Sequence, residues 1–277
     1  MFQDALAFTA AETGFPTRLI EKDYFCTIAL AYLSRRAETM AFKGGTCLAK
    51  VHADFYRLSE DLDFGISTPV DANKAQRSKL AAGPKAVVQD IRTTIPALTL
   101  RTPLAGAASS TQYLGELAYV SLVDGHEEPI KIEVSLREPF LESVALYPAH
   151  TLLLNPVNGK GAVSPVEIPC ISLREAMAEK LRASMTRREP AIRDFYDIDH
   201  AVRLRGLDRC DPALLALVRR KLAMPGNGPV DLSPERLAML HSQVEPVLGP
   251  VLRPDDFAAF DLKRSFALAQ DVAKALQ

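Results

Sequence analysis

The stretch Phe42-Lys43-Gly44-Gly45-Thr46-Cys47-Leu48, followed by Arg57-Leu58-Ser59-Glu60-Asp61-Leu62-Asp63-Phe64, decides how this chain is read. A glycine pair opening a helix lets backbone N–H groups approach phosphate closely, and the helix N-terminus adds its positive dipole end. Asp61 and Asp63 are two residues apart, so on a strand both carboxylates leave the same face. Leu62 and Phe64 then point the other way, into a core, which argues against an acidic loop. Hard oxygen ligands on one face suit Mg²⁺, or Mn²⁺ in its place, with phosphate and water completing the shell. A glycine helix beside a D-x-D strand is thus a site for a nucleoside triphosphate and its metal ions.

Working outward, residues 2–33 are helical in pattern, broken near Gly14 to Pro16, with Leu19, Ile20, Tyr24, Ile28 and Ala31 at near-helical spacing. Residues 39–43 predict a short strand, 45–54 a short helix, 61–66 a strand, and 71–92 a polar helix. From residue 98 to 137 the period changes to two. Residues 113–120 and 130–135 predict adjacent strands joined through Asp124-Gly125. Residues 139–172 carry Pro148, Pro156, Pro165 and Pro169 and predict a connector. Helical patterns then fill 173–186, 192–205, 212–223, 234–247 and 254–276, several with proline at or near the start. The expectation is an α/β (α+β) chain. Residues 1–150 form a lobe with a mixed sheet and N-terminal helices, and residues 151–277 form a helical lobe closing the nucleotide cleft.

Composition narrows the class. At 277 residues the chain can bury a substantial core, and no window has the ~18 apolar residues of a membrane span. The N-terminus lacks the basic and apolar regions of a signal peptide. The four cysteines, Cys26, Cys47, Cys170 and Cys210, show no paired spacing and read as thiols of a reducing compartment, so the expected location is cytoplasmic. Lys and Arg total 33 against 34 Asp and Glu, so no global charge points to nucleic acid. A local basic run exists at Arg174, Lys180, Arg182, Arg187, Arg188, Arg193, Arg203 and Arg205. The plainer reading is a solvated face balanced by neighbouring carboxylates.

Nucleotidyl transfer needs a positioned triphosphate and neutralised charge at the reacting phosphorus. A two-metal site wants a third acid from a neighbouring strand. Glu133 fits, because Lys131, Glu133 and Ser135 alternate with Ile132 and Val134. The plainer reading is a solvent-facing edge strand. Ser59 can donate to phosphate, and Arg57 can steady carboxylates or reach phosphate itself. Lys50, on the helix exterior, reads as solvated. Glu175 and Glu179 share a helical face. Lys180 and Asp194 either reach a cleft or form part of a surface ion-pair network joining two helices. The five histidines lack metal-ligand spacing, and neither a hydrolase elbow nor a P-loop occurs.

Taken together the motifs resemble the AbiEii/AbiGii-type nucleotidyltransferase toxins, whose fold is related to polymerase beta. The matching residues are Glu21-Lys22-Asp23-Tyr24, Lys43-Gly44-Gly45-Thr46-x-Leu48 and Arg57-x-Ser59-x-Asp61-x-Asp63, then Lys131-x-Glu133, Glu179-Lys180 and Arg193-Asp194-x-Tyr196-Asp197. The resemblance implies Gly44, Gly45, Thr46 and Ser59 at the phosphates, Arg57 and Lys131 beside the nucleotide, and Asp61, Asp63 and Glu133 on metal. It implies Lys180 on the nucleotide and a catalytic acid at Asp194 or Asp197. It further implies a nucleoside triphosphate donor, an RNA acceptor (the tRNA 3′ end in some members) or a protein hydroxyl, a cognate antitoxin or regulator, and a toxin–antitoxin or phage-defence role.

Three other readings compete. A metal-dependent nuclease would leave the glycine helix unexplained. A glycosyltransferase would use the D-x-D with a nucleotide sugar. A non-catalytic nucleotide-binding or antitoxin-docking module would not need paired metal carboxylates.

Overall fold

The computed structural model describes residues 1–277, which divide into two compact units, Met1–Ile171 and Ser172–Gln277. The first contains α1 (Phe2–Thr13), α2 (Thr17–Ser34), β1 (Ala41–Lys43) and α3 (Gly44–Cys47), which runs on into a π-helical turn (Leu48–His52). It continues with β2 (Leu62–Gly65), α4 (Lys74–Leu80), α5 (Ala82–Thr94), β3 (Thr99–Ala107), β4 (Gln112–Val120), β5 (Glu127–Ser135), β6 (Ala145–Ala149) and β7 (Val166–Cys170). The second unit is helical, with α6 (Leu173–Thr186), α7 (Ile192–Leu204), α8 (Pro212–Leu222), α9 (Pro234–His241), α10 (Pro254–Ala259) and α11 (Leu262–Ala275).

The seven strands make one mixed sheet in the order β3-β4-β5-β2-β1-β7-β6. Pairing is parallel between β2 and β5 and between β1 and β7, and antiparallel elsewhere. One face of this sheet is the core: Phe42, Leu62, Phe64, Ile132 and Val134 lie within it, packed with Cys26, Ala29, Leu30 and Leu33 of α2 and Val88 and Ile91 of α5. The alternation that buries Leu62 and Phe64 leaves Asp63 half-buried on the opposite face.

Local chemistry sets the element ends. Gly14 takes the left-handed conformation (φ 73°) that ends α1, its N–H donating to the Ala10 carbonyl, and Pro16 precedes α2. Asn73 and Gln76 form a reciprocal capping box on α4. The polar stretch 71–92 is two helices rather than one, α4 and α5 meeting at Ala81. Residues 254–276 also divide, because the Asp261 side chain accepts the Arg264 N–H and starts α11 afresh.

Residues 139–172 are more than a connector. They supply β6 and β7, with Leu146 opposite Pro169 and Pro148 opposite Glu167. β6 is an edge strand, where a missing N–H is tolerated. In the helical unit, Phe195 of α7 stacks on Phe266 of α11 at 5.7 Å, and Leu214 and Val218 of α8 are buried.

Candidate active site

The glycine helix and the D-x-D strand meet directly. Gly44 has φ 75°, and a Cβ built on it would stand 2.7 Å from Asp63 Cβ and 2.8 Å from its Cγ. Only glycine fits there, because the Asp63 side chain lies against the helix N-terminus. A Cβ on Gly45 would stand 2.6 Å from Arg57 Nη2 and 2.9 Å from Ser59 Oγ. Thr46, buried, donates its hydroxyl to the Asp61 carbonyl. Gly44, Gly45, Thr46, Arg57, Ser59, Asp61 and Asp63 thus form one cluster. Arg57 is 1 % exposed, with Nη1 donating to the Leu58 carbonyl at 3.1 Å, so it supports the cluster from behind.

Strand register adds the third acid. Lys43 of β1 pairs with Asp63, and Asp63 pairs with Glu133 of β5. Glu133 is half-buried on the same face, and Lys131, two residues earlier, is exposed opposite Glu116 of β4. The expected edge-strand alternative for β5 does not hold, since β5 is paired on both sides. Asp63 and Glu133, paired across β2 and β5, share one sheet face, and with Asp61 just before β2 they offer the carboxylate donor chemistry a hard divalent cation requires. No three acidic, histidine or cysteine side chains converge into a metal-holding group by themselves, so phosphate and water oxygens would have to complete a coordination shell.

Glu21, Lys22 and Asp23 of α2, part of the motif set, are all buried. Glu21 accepts from Ser121 Oγ at 2.6 Å and from the Leu122 N–H at 2.7 Å, fixing the β4–β5 turn. Lys22 pairs with Glu60 at 3.2 Å and faces Glu128 at 3.9 Å, while Arg18 grips Glu128 through two bonds of 2.7 and 2.8 Å. Asp23 pairs with Lys50 at 2.6 Å and accepts the Leu152 N–H.

Lys50 itself, expected to be solvated, is 1 % exposed; it also donates to Thr27 Oγ1 at 2.7 Å and to the His150 carbonyl at 3.2 Å. The available signal was an acid beside the apolar positions of α2, because a buried carboxylate requires a cation. Close by, Cys26 Sγ lies 3.9 Å from the Glu60 carbonyl, and burial pushes this thiol up to about 12.

The helical unit holds a second charged cluster. Lys180 of α6 bonds Asp194 and Asp197 of α7, both at 2.8 Å, and Arg187 bonds Asp194 at 3.1 Å. The two aspartates are buried, so this network is not the surface feature of the plainer reading. Glu175 and Glu179 instead share Lys221 of α8, which is fully buried, at 2.8 and 3.1 Å. Asp199 takes a two-pronged grip from Arg264 at 2.7 and 2.9 Å. Much of the basic run is therefore committed to carboxylates of its own unit, although Arg174, Arg187, Arg188, Arg203 and Arg205 are all exposed.

A profile of the family described as "Nucleotidyl transferase AbiEii toxin, Type IV TA system" matches residues 28–274, nearly the whole chain. The chain belongs to that family. It is accordingly an enzyme of the nucleotidyltransferase class, from a family of toxin–antitoxin toxins. Among solved structures, MenT4, a nucleotidyltransferase toxin of Mycobacterium tuberculosis, is 19% identical with a TM-score of 0.64, over 100% of this chain and 98% of that one. JHP933 from Helicobacter pylori is 16% identical with a TM-score of 0.55, over 95% and 94% of the respective chains. Both show the fold. No curated protein matches at the level of sequence. No helix of this nucleotidyltransferase is long and apolar enough to cross a membrane.

Proposed function

We propose that this toxin-family enzyme transfers a nucleoside monophosphate from a nucleoside triphosphate to an RNA hydroxyl, using the Gly44-Gly45 helix and the carboxylates of Asp61, Asp63 and Glu133. The observation that carries this is the contact between Gly44 and Asp63, which places a helix N-terminus and a carboxylate row side by side. The N–H groups of the glycine helix and the Ser59 hydroxyl bind the triphosphate tail, and the buried Arg57 charge supports them. Asp61, Asp63 and Glu133 would hold Mg²⁺, which when bound lowers the pKa of the attacking hydroxyl and neutralises charge on the leaving pyrophosphate. Lys131 lies at the rim of the same face for contact with the nucleotide.

Lys180 is assigned to nucleotide charge on the family resemblance, with Asp194 and Asp197 holding its ammonium. The exposed Arg188 favours a polyanionic acceptor. The expected setting is the cytoplasm, with an antitoxin encoded alongside and a role in defence against phage.

The test is incubation of the purified protein with each labelled nucleoside triphosphate, total RNA and Mg²⁺. Label should enter RNA, and Asp61→Ala or Asp63→Ala should abolish it with the fold retained. Full activity in either variant would end this reading, and label appearing only on protein would replace the acceptor.

A further inference from the structure

Helix α2 reaches the candidate site from the core side through two consecutive residues. Lys22 holds Glu60, the residue between Ser59 and Asp61, and the same segment receives Arg18 at 3.4 Å and the Cys26 thiol on its carbonyl. Asp23 holds Lys50, in the π-helical turn that continues the glycine helix, and through the Leu152 N–H it holds the strand-to-strand segment behind it. Both residues are 6 % exposed and make ion pairs, so each anchor is stiff and directional.

One helix therefore fixes both halves of the cluster: the end of the phosphate helix and the backbone carrying the first metal carboxylate. Asp63, by contrast, is placed by strand register on both sides. Asp61 precedes the first residue of β2 and lacks that support. Its position depends on the Thr46 hydroxyl at its carbonyl and on whatever holds Glu60.

We propose, on the reading of the site given above, that Lys22 and Asp23 are positioning residues that set the separation between the glycine helix and the Asp61 carboxylate, Lys22 acting through Glu60 and Asp23 through Lys50. Glu21 supplies an internal control. It is as buried as its neighbours and on the same helix, but its partners are Ser121 and Leu122 of the β4–β5 turn.

The experiment compares Lys22→Met, Asp23→Asn and Glu21→Gln in the full-length chain. Mn²⁺ binding is followed by electron paramagnetic resonance in the presence of a non-hydrolysable triphosphate, alongside thermal unfolding. All three variants should lose some thermal stability. Lys22→Met and Asp23→Asn should also weaken Mn²⁺ binding about tenfold or more, the usual effect of removing a group that orients a ligand. Glu21→Gln should stay within about twofold of the parent, because its partners do not touch the site. Lys22→Arg should recover most of the Mn²⁺ affinity.

If Lys22→Met and Asp23→Asn lower only the unfolding temperature and bind Mn²⁺ as the parent does, the proposal is overturned and the two residues are merely structural. If the parent shows no Mn²⁺ binding that depends on Asp61, the metal reading itself has failed, and the proposal falls with it.

Discussion

Replacing Gly44 by alanine tests the contact on which the site rests, and Gly125 provides the matching reference. The two glycines have nearly the same backbone angle, φ 75° and φ 76°. An alanine at either position pays the left-handed penalty of about 1–2 kcal/mol. They differ in surroundings: nothing lies within 4 Å of a Cβ on Gly125, whereas one on Gly44 meets Asp63 Cβ at 2.7 Å and Cγ at 2.8 Å and overlaps its carboxylate oxygen. The Asp63 Cβ belongs to a strand paired on both sides, so it cannot swing aside. Forcing atoms into filled space typically costs about 1–3 kcal/mol. Gly44→Ala should therefore be less stable than Gly125→Ala by about 2 kcal/mol, an extra fall in unfolding temperature of about 4–8 °C for a chain of this size.

Function should respond more sharply. Relief of the overlap moves the carboxylate away from the helix, and a displacement near 1 Å at a reacting centre costs about a hundredfold in rate. Thermal unfolding and transfer of labelled nucleotide, run on both variants, read the two effects. Equal stability of the two variants together with retained transfer in Gly44→Ala would refute the geometry described for this site.

Three further outcomes are expected. Lys50→Met leaves the Asp23 carboxylate buried without its cation and should destabilise the protein by about 3–5 kcal/mol, read by urea unfolding; a loss below ~1 kcal/mol would contradict the burial described. Burial foremost, then Arg205, pushes the His200 imidazole down to about 4 from its ordinary 6.5, with Asp197 and Asp256 opposing. The unfolded chain then binds the proton first, so this contribution is complete above pH 6.5 and is lost between 6.5 and about 4. His200→Gln should flatten the stability profile across that window, and an unchanged slope would count against it. Finally, Cys210 is exposed while Cys26, Cys47 and Cys170 are buried, so a thiol reagent should label one cysteine rapidly in the native protein, and Cys210→Ser should remove that phase.

The parts of the fold legible in the sequence are those where local chemistry and tertiary context agree. Gly44 needs glycine for its left-handed backbone and Gly45 for the close approach of Arg57 and Ser59, Leu62 and Phe64 need a core, and Asp63 needs the other face, so strand, turn and polarity all point one way. The Asp124-Gly125 turn between β4 and β5 was legible for the same reason. What escaped depends on partners distant in sequence. Lys50 looks like any solvated lysine until Asp23 and Thr27 are brought to it from α2. Pro148 argues against a strand unless it is known that β6 lies at a sheet edge. The charged helices gave correct boundaries for α6 and α7, yet which carboxylate takes which lysine is decided by α8, whose Lys221 claims Glu175 and Glu179. Asp194 and Asp197 are brought to the same ammonium, so geometry gives both a shared task rather than selecting one.

The strand order has a consequence for how the enzyme comes into being. β1 and β2 are three and four residues long and leave the ribosome early, while their outer neighbours β7 and β5 follow much later. A two-stranded pair that short does not persist alone in water, and long-range pairings form late in folding. Two-sided pairing of the strands that flank the candidate site therefore waits until residues near Cys170 have been translated and have closed the sheet beside Phe42. Through much of its synthesis the polypeptide lacks this pairing, and a chain cut short before β7 would carry Gly44-Gly45 and Asp61-x-Asp63 without the strand that completes the sheet beside them.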